Sequence, residues 1–228
     1  FAPNGAMGLT AYRPSSPFAG YGGGSKPTTG DYHYWEVWHG RKPISEYNRV
    51  RTRFFSEYGM QSFPEFESVR RFAPDEKDWD IHSEVMMWHQ RGGAHATSLI
   101  ETYLESEYKK PGRFQDLLYV GQLMQGDAMR TAVEAHRRDK GYCWGTLLWQ
   151  INDCWPVASW STPISFQRLR ILSNEVVSRL YSESCFPGGL VLPPTHFVGY
   201  SEYSRILRIY IGSLYFSIFS IFHDVGRR

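Results

Sequence analysis

One acid sits where acids are rarely left idle. Residues 51–64 read RTRFFSEYGMQSFP, an aromatic, apolar run expected to form a buried strand, with Glu57 where it turns toward Pro64. A buried carboxylate without a partner is costly, so Glu57 must be hydrogen-bonded or paired. Two readings follow. Either Glu57 pairs with a nearby arginine, Arg51 or Arg53, or it is one of the two carboxylates of a glycoside-cleaving site. In such a site one carboxylate attacks the anomeric carbon while the other protonates the leaving oxygen.

A second stretch bears on that choice. DYHYWEVWHG (31–40) places Tyr32, Tyr34, Trp35 and Trp38 beside His33 and His39. So much ring surface makes either a local aromatic core or a wall for a sugar, since rings offer large apolar faces with polar edges. Other groupings carry less chemistry. His33 and His39 with Asp31 and Glu36, or His82 with Glu84 and His89, match no metal-ligand spacing. Cys143, Cys154 and Cys185 form neither a CxxC pair nor a disulfide framework. The GYGGG run at 20–24 is followed by no Lys-Ser/Thr pair and no helix start in the frame of a phosphate loop. No metal and no cofactor are expected.

The elements that must position these groups follow from periodicity. RPSSPFAGYGGGSKPTTG (13–30) is a long loop of Pro, Gly and Ser. After Pro43, ISEYNRVRTRF is expected to be helical and FFSEYGMQSF to be a strand. From Phe114 to Lys140, Leu117, Leu118, Val120, Leu123, Met124, Met129, Ala132, Val133 and His136 recur at helical spacing, with basic residues in the last turn and Gly141 as the stop. YCWGTLLWQI (142–151) then reads as another apolar strand. Strand, long helix, strand is a βαβ pattern, so the fold class is α/β with a parallel sheet. Ligand sites in such sheets gather beyond the carboxyl ends of the strands. That rule selects Glu57, Tyr58, Gln61 and Ser62 on one side and Trp149, Gln150, Asn152, Asp153 and Trp155 on the other.

Composition excludes some classes. At 42% hydrophobic and 16% aromatic, a chain of 228 residues is globular. Its 25 basic and 23 acidic residues are interspersed, so no basic stripe points to nucleic acid. The apolar run 206–222 contains Arg208, and no membrane span is expected from it. The opening FAPNGAMGL carries neither an initiator Met nor a signal segment, which suggests a cut edge.

Four separated stretches, YRPSSP (12–17), GDYHYWEVWHG (30–40), FFSEYGMQSFP (54–64) and LLWQINDCWPVASWS (147–161), together resemble the β-mannosidases of the family-2 glycoside hydrolases. The continuation GMQSFP and the distal WQINDCWP favour the mannosidase branch over the galactosidase and glucuronidase branches. The resemblance implies that residues 1–161 are the C-terminal part of a (β/α)8 TIM barrel, with Glu57 and Trp149 near the ends of its last two strands. It further implies an exo-acting, retaining enzyme that removes terminal β-D-mannose from a β-mannoside or manno-oligosaccharide, with Glu57 as nucleophile. Trp35, Trp38, His39, Tyr58, Trp149, Asn152 and Asp153 would contact the sugar. A periplasmic, secreted or lysosomal setting goes with that family.

The chain also departs from the pattern. The family's acid/base is a Glu following an Asn at an earlier strand end, and residues 1–30 contain no Glu. A retaining mechanism needs two carboxylates about 5 Å apart, so the chain alone is expected to lack full activity. After Ser161 the family pattern stops, and residues 162–228 are expected to be an atypical tail, out of frame or otherwise non-native. A non-catalytic carbohydrate-binding protein is the alternative that the aromatic wall would also serve.

Overall fold

Three segments run in the same direction side by side among the described residues. The computed structural model describes residues 15–18, 26–150 and 153–161. Strands β1 (Tyr32–His33) and β2 (Phe55–Glu57) pair in parallel, with Tyr32 opposite Phe55 and His33 opposite Glu57. Residues 144–149 also run along β2. The Phe55 N–H donates to Gly145 O at 3.0 Å, the Leu147 N–H to Phe55 O at 2.8 Å, and the Trp149 N–H to Tyr58 O at 2.9 Å. A parallel bridge between Phe55 and Thr146 centres that contact.

The helices α1 (Phe66–Phe72), α2 (Glu84–Trp88), α3 (Gly93–Glu107) and α4 (Phe114–Arg138) make the crossover between β2 and that third segment. Parallel neighbours require such a connection, because a tight turn can only join antiparallel strands. The helix expected over 114–140 therefore forms nearly as read, closing at Arg138 with Asp139 as its cap. Its apolar spacing buries Leu117, Leu118, Met124, Ala128, Met129, Ala132 and Val133 on one face. Helix α2 is short and is started by Ser83, whose Oγ accepts from the Met86 N–H at 3.3 Å.

Three expectations about elements are corrected. Residues 44–54 are not a helix: only Ile44–Asn48 winds, as a 3-10 turn, and the chain then straightens. The straight part serves the arginines. Arg51 makes two-pronged contact with the Asp139 carboxylate, with Nη2 at 2.6 Å from Oδ1, and both Arg51 and Arg53 lie over the Tyr142 ring. Strand β2 is also shorter than FFSEYGMQSF. Beyond Glu57 the chain turns, and Ser62 pairs with Ser159 instead, each N–H bonded to the other's carbonyl. Likewise the described part of the run expected over 142–151, residues 142–150, contributes bridges rather than a strand.

The turn after β2 is held from α4. The Gln125 side-chain amide donates to Met60 O at 2.7 Å and to Trp160 O at 3.3 Å, while Gln122 Nε2 donates to Phe63 O at 3.3 Å. Both glutamines are buried. Gln125→Leu is expected to take from Met60 O its donor, leaving Trp160 O only the longer contact from the Gln150 N–H at 3.5 Å, and to lower stability by about 1–3 kcal/mol. Urea unfolding of the two proteins measures this.

Candidate active site

Glu57 ends β2, and the parallel register sets His33 beside it. The Trp35 indole N–H donates to Glu57 Oε2 at 3.3 Å, and His33 Nδ1 lies 3.3 Å from the same oxygen. Both contacts fall on Oε2. Oε1 accepts no hydrogen bond among the described residues, and the side chain keeps about a fifth of its surface, 21%. The arginine partner weighed from the sequence is thereby replaced, since Arg51 and Arg53 are turned to Asp139 and Tyr142.

His33 is held in turn. Its Nε2 lies 3.2 Å from Ser16 Oγ, which donates to Asp31 Oδ2 at 2.5 Å. Asp31 also accepts from Ser56 Oγ at 2.6 Å and from the Phe18 N–H at 2.7 Å. Burial works to raise the Asp31 carboxyl, but these donors outweigh it and hold the group below its usual value.

The rings of residues 31–40 divide between an exposed cluster and the core. Trp35, His39 and Trp160 meet edge to face or tilted, with ring centroids 5.3–6.1 Å apart. His39 is exposed at this cluster, and burial together with the charge of His95 lowers its pKa, which favours the neutral ring. Trp149 is 41% exposed and can serve as an apolar platform. Trp38 cannot form the wall. Its ring is fully buried, stacked on Tyr103 at 6.1 Å, and its backbone N–H donates to Tyr103 Oη at 2.7 Å. Trp38 therefore backs Trp160 and His39 rather than facing a ligand.

Tyr58 is likewise fully buried, packed edge-on against Tyr47, Phe55 and His136. Asp153 braces its own loop. Its carboxylate accepts from Gln150 Nε2 and the Cys154 N–H, both at 3.0 Å, and pairs with Arg91 at 3.5 Å, leaving 4% of the side chain exposed. In each case the side chain is used up by neighbours before a sugar could reach it. Asn152 lies outside the described residues, as do 162–228 with the apolar run 206–222. Among the described residues no cluster of His, Cys, Asp and Glu is placed to hold a metal ion, and no helix is long and apolar enough to cross a membrane.

Gly59 was not among the residues singled out from the sequence, yet it sets the geometry. A Cβ there would stand 2.2 Å from Trp149 O, so only glycine lets the two chain segments meet. A glycine inside an apolar strand run is the signal that would have found it. Gly59→Ala is expected to push the 149 segment off β2 and cost about 1–3 kcal/mol. A lowered thermal midpoint checks this.

No family model matches the chain. It is similar to curated proteins named β-mannosidase B: those of Aspergillus terreus and Aspergillus niger are 36% identical to it over 163 residues, and that of Neosartorya fischeri is 35% identical. These alignments cover 70% of the chain and 19% of each relative, so the chain spans about a fifth of their length. The fold is similar to the crystal structure of a β-D-mannosidase from Dictyoglomus thermophilum, with a TM-score of 0.65 and 36% identity, covering 69% of this chain and 19% of that one. Over that shared stretch the chain is a relative of the β-mannosidases, as the four motifs implied.

Proposed function

We propose that this chain is the nucleophile-bearing part of a retaining exo-β-mannosidase of the family-2 glycoside hydrolases, built as the last strands of a (β/α)8 barrel. The observation that carries the reading is the state of Glu57: Oε2 is occupied by Trp35 and His33, while Oε1 accepts no hydrogen bond among the described residues. A carboxylate gripped by one oxygen has the other directed for attack on an anomeric carbon. A mannosyl ester would form on Glu57, through an oxocarbenium-like transition state, and water would later cleave it with retention. Trp35, His39 and Trp149 supply the ring surface for the sugar, with Trp160 beside them.

The acid that protonates the leaving oxygen belongs, in this reading, to a segment of the parent enzyme beyond the present chain. The chain alone then cleaves ordinary mannosides poorly. Fluoride needs little protonation to leave, so 2-deoxy-2-fluoro-β-D-mannosyl fluoride is the suitable probe: the fluorine at C2 slows hydrolysis of the ester and traps it. Mass spectrometry of the digested chain is expected to place one fluoromannosyl group on the Glu57 peptide. A chain that binds mannose yet stays unlabelled would be a carbohydrate-binding protein instead. Residues 162–228 remain proposed as an atypical, non-native tail, on composition and on the break in pattern after Ser161. Resequencing the source DNA across the junction decides that, and an uninterrupted frame would reject it.

A further inference from the structure

The long Pro, Gly and Ser loop contributes a side chain to the neighbourhood of Glu57. Ser16, from the YRPSSP motif, stands between Asp31 and His33, at 2.5 Å from Asp31 Oδ2 and 3.2 Å from His33 Nε2. His33 Nδ1 faces Glu57 Oε2 at 3.3 Å. Four side chains thus form one line, carboxylate to hydroxyl to imidazole to carboxylate. The line begins on residue 16 and on Asp31, just before β1, and it ends on the neighbouring strand at Glu57.

The Asp31 end is a built anchor. Besides Ser16 it takes the Ser56 hydroxyl and the Phe18 N–H, so it is tied to both β2 and the loop. An imidazole held at one nitrogen only can swing about its χ torsions, whereas one held at both ends is fixed in plane and direction. His33 is held at both, which requires each ring nitrogen to donate, Nε2–H to Ser16 Oγ and Nδ1–H to Glu57 Oε2, since the Ser16 hydroxyl spends its one proton on Asp31.

We propose that Asp31 and Ser16 are positioning residues for Glu57, acting through His33: the line fixes the imidazole so that Nδ1 stays on Oε2 and Oε1 stays turned toward the sugar. This rests on the mannosidase reading above for its catalytic meaning, but the line itself is testable without catalysis. Ser16 is the link that can be cut cleanly, because Asp31 keeps Ser56 and the Phe18 N–H when Ser16 is changed.

The experiment uses the full chain, with Ser16→Ala, Asp31→Asn, their double variant and Ser16→Thr. Long-range 1H–15N spectra of the imidazoles, with the His33 signals assigned by their loss in His33→Gln, report the ring. The rate of Glu57 labelling by 2-deoxy-2-fluoro-β-D-mannosyl fluoride reports the carboxylate. Ser16→Ala and Asp31→Asn are each expected to shift the His33 ring nitrogens and to slow labelling roughly tenfold, the scale of one lost hydrogen bond. The double variant should lose no more than either single one, and Ser16→Thr should keep both readouts near wild type. Unchanged His33 signals in Ser16→Ala and Asp31→Asn would overturn the proposal, as would additive losses in the double variant. A wild-type chain that is never labelled would overturn the mannosidase reading alone, and the His33 spectra would still decide the line.

Discussion

Glu57→Gln is expected to reduce release of dinitrophenolate from 2,4-dinitrophenyl β-D-mannoside by on the order of 10⁴-fold or more, the scale reached when a covalent nucleophile is removed. The substrate matters because its leaving group departs without general acid help, so an acid/base that the proposed function places outside this chain does not mask the effect. On the proposed mechanism the first step is then accessible in the Glu57 chain and the mannosyl ester is expected to accumulate, since activation of water for the second step falls to no residue assigned in this chain. General base assistance contributes typically about 10²–10⁴-fold, and azide, an anion that attacks without it, should bypass that shortfall. Azide is therefore expected to accelerate turnover of the Glu57 chain and to yield β-mannosyl azide, with the configuration retained after two inversions. It should do nothing for the Gln variant. Glutamine is nearly isosteric and can still accept from the Trp35 indole N–H through its carbonyl oxygen, so the comparison isolates the charge and nucleophilicity of one atom. Equal rates for the two chains would remove Glu57 from the reaction.

What could be read from the sequence was set by how local each cause is. Helix α4 was legible because its burial pattern repeats within its own residues, Leu117 to His136, and needs no partner to be seen. Parallel pairing was legible for a related reason: a long helix between two apolar runs leaves few other topologies. The length of β2 was not. It ends early because Ser62 finds Ser159, a residue almost a hundred positions away, and because Gln125 reaches back to Met60. The same distance effect reassigns the tryptophans. Trp35 and Trp38 look alike in WEVW, yet Trp35 reaches the Glu57 carboxylate while Trp38 is covered by Tyr103 from α3. Glu57 itself was identifiable as needing a partner, but its partner was misjudged. Arg51 and Arg53 are near in sequence, while His33 is near only because β1 pairs with β2 in this register.

Lowering the pH from 7 to 5 is expected to destabilise the fold by about 2 kcal/mol through one residue, His136. This ring is buried at the end of α4, stacked on Phe55 at 3.6 Å and met edge-on by Tyr58 at 4.9 Å. Its Nδ1 shares a hydrogen bond of 2.8 Å with Thr146 Oγ1, and its Nε2 is buried without a partner. Burial pushes its pKa down to about 3, only partly opposed by the charge of Asp139. An unfolded histidine takes up its proton near pH 6.5, so between pH 6.5 and about 3 the unfolded chain binds a proton that the folded one refuses. The stabilising contribution is whole above pH 6.5 and is lost progressively as the pH falls through that window. Phe55 and Tyr58 flank Glu57 on β2 and its exit, so a proton forced onto His136 disturbs the strand that carries Glu57. His136→Phe keeps a ring against Phe55 and carries no titratable nitrogen. Its absolute stability will differ from wild type, and the decisive quantity is the slope: urea unfolding at pH 7, 6 and 5 should show the wild type losing about 2 kcal/mol more than the variant across the range. Parallel curves for the two proteins would mean that His136 is protonated in the fold as easily as in the unfolded chain.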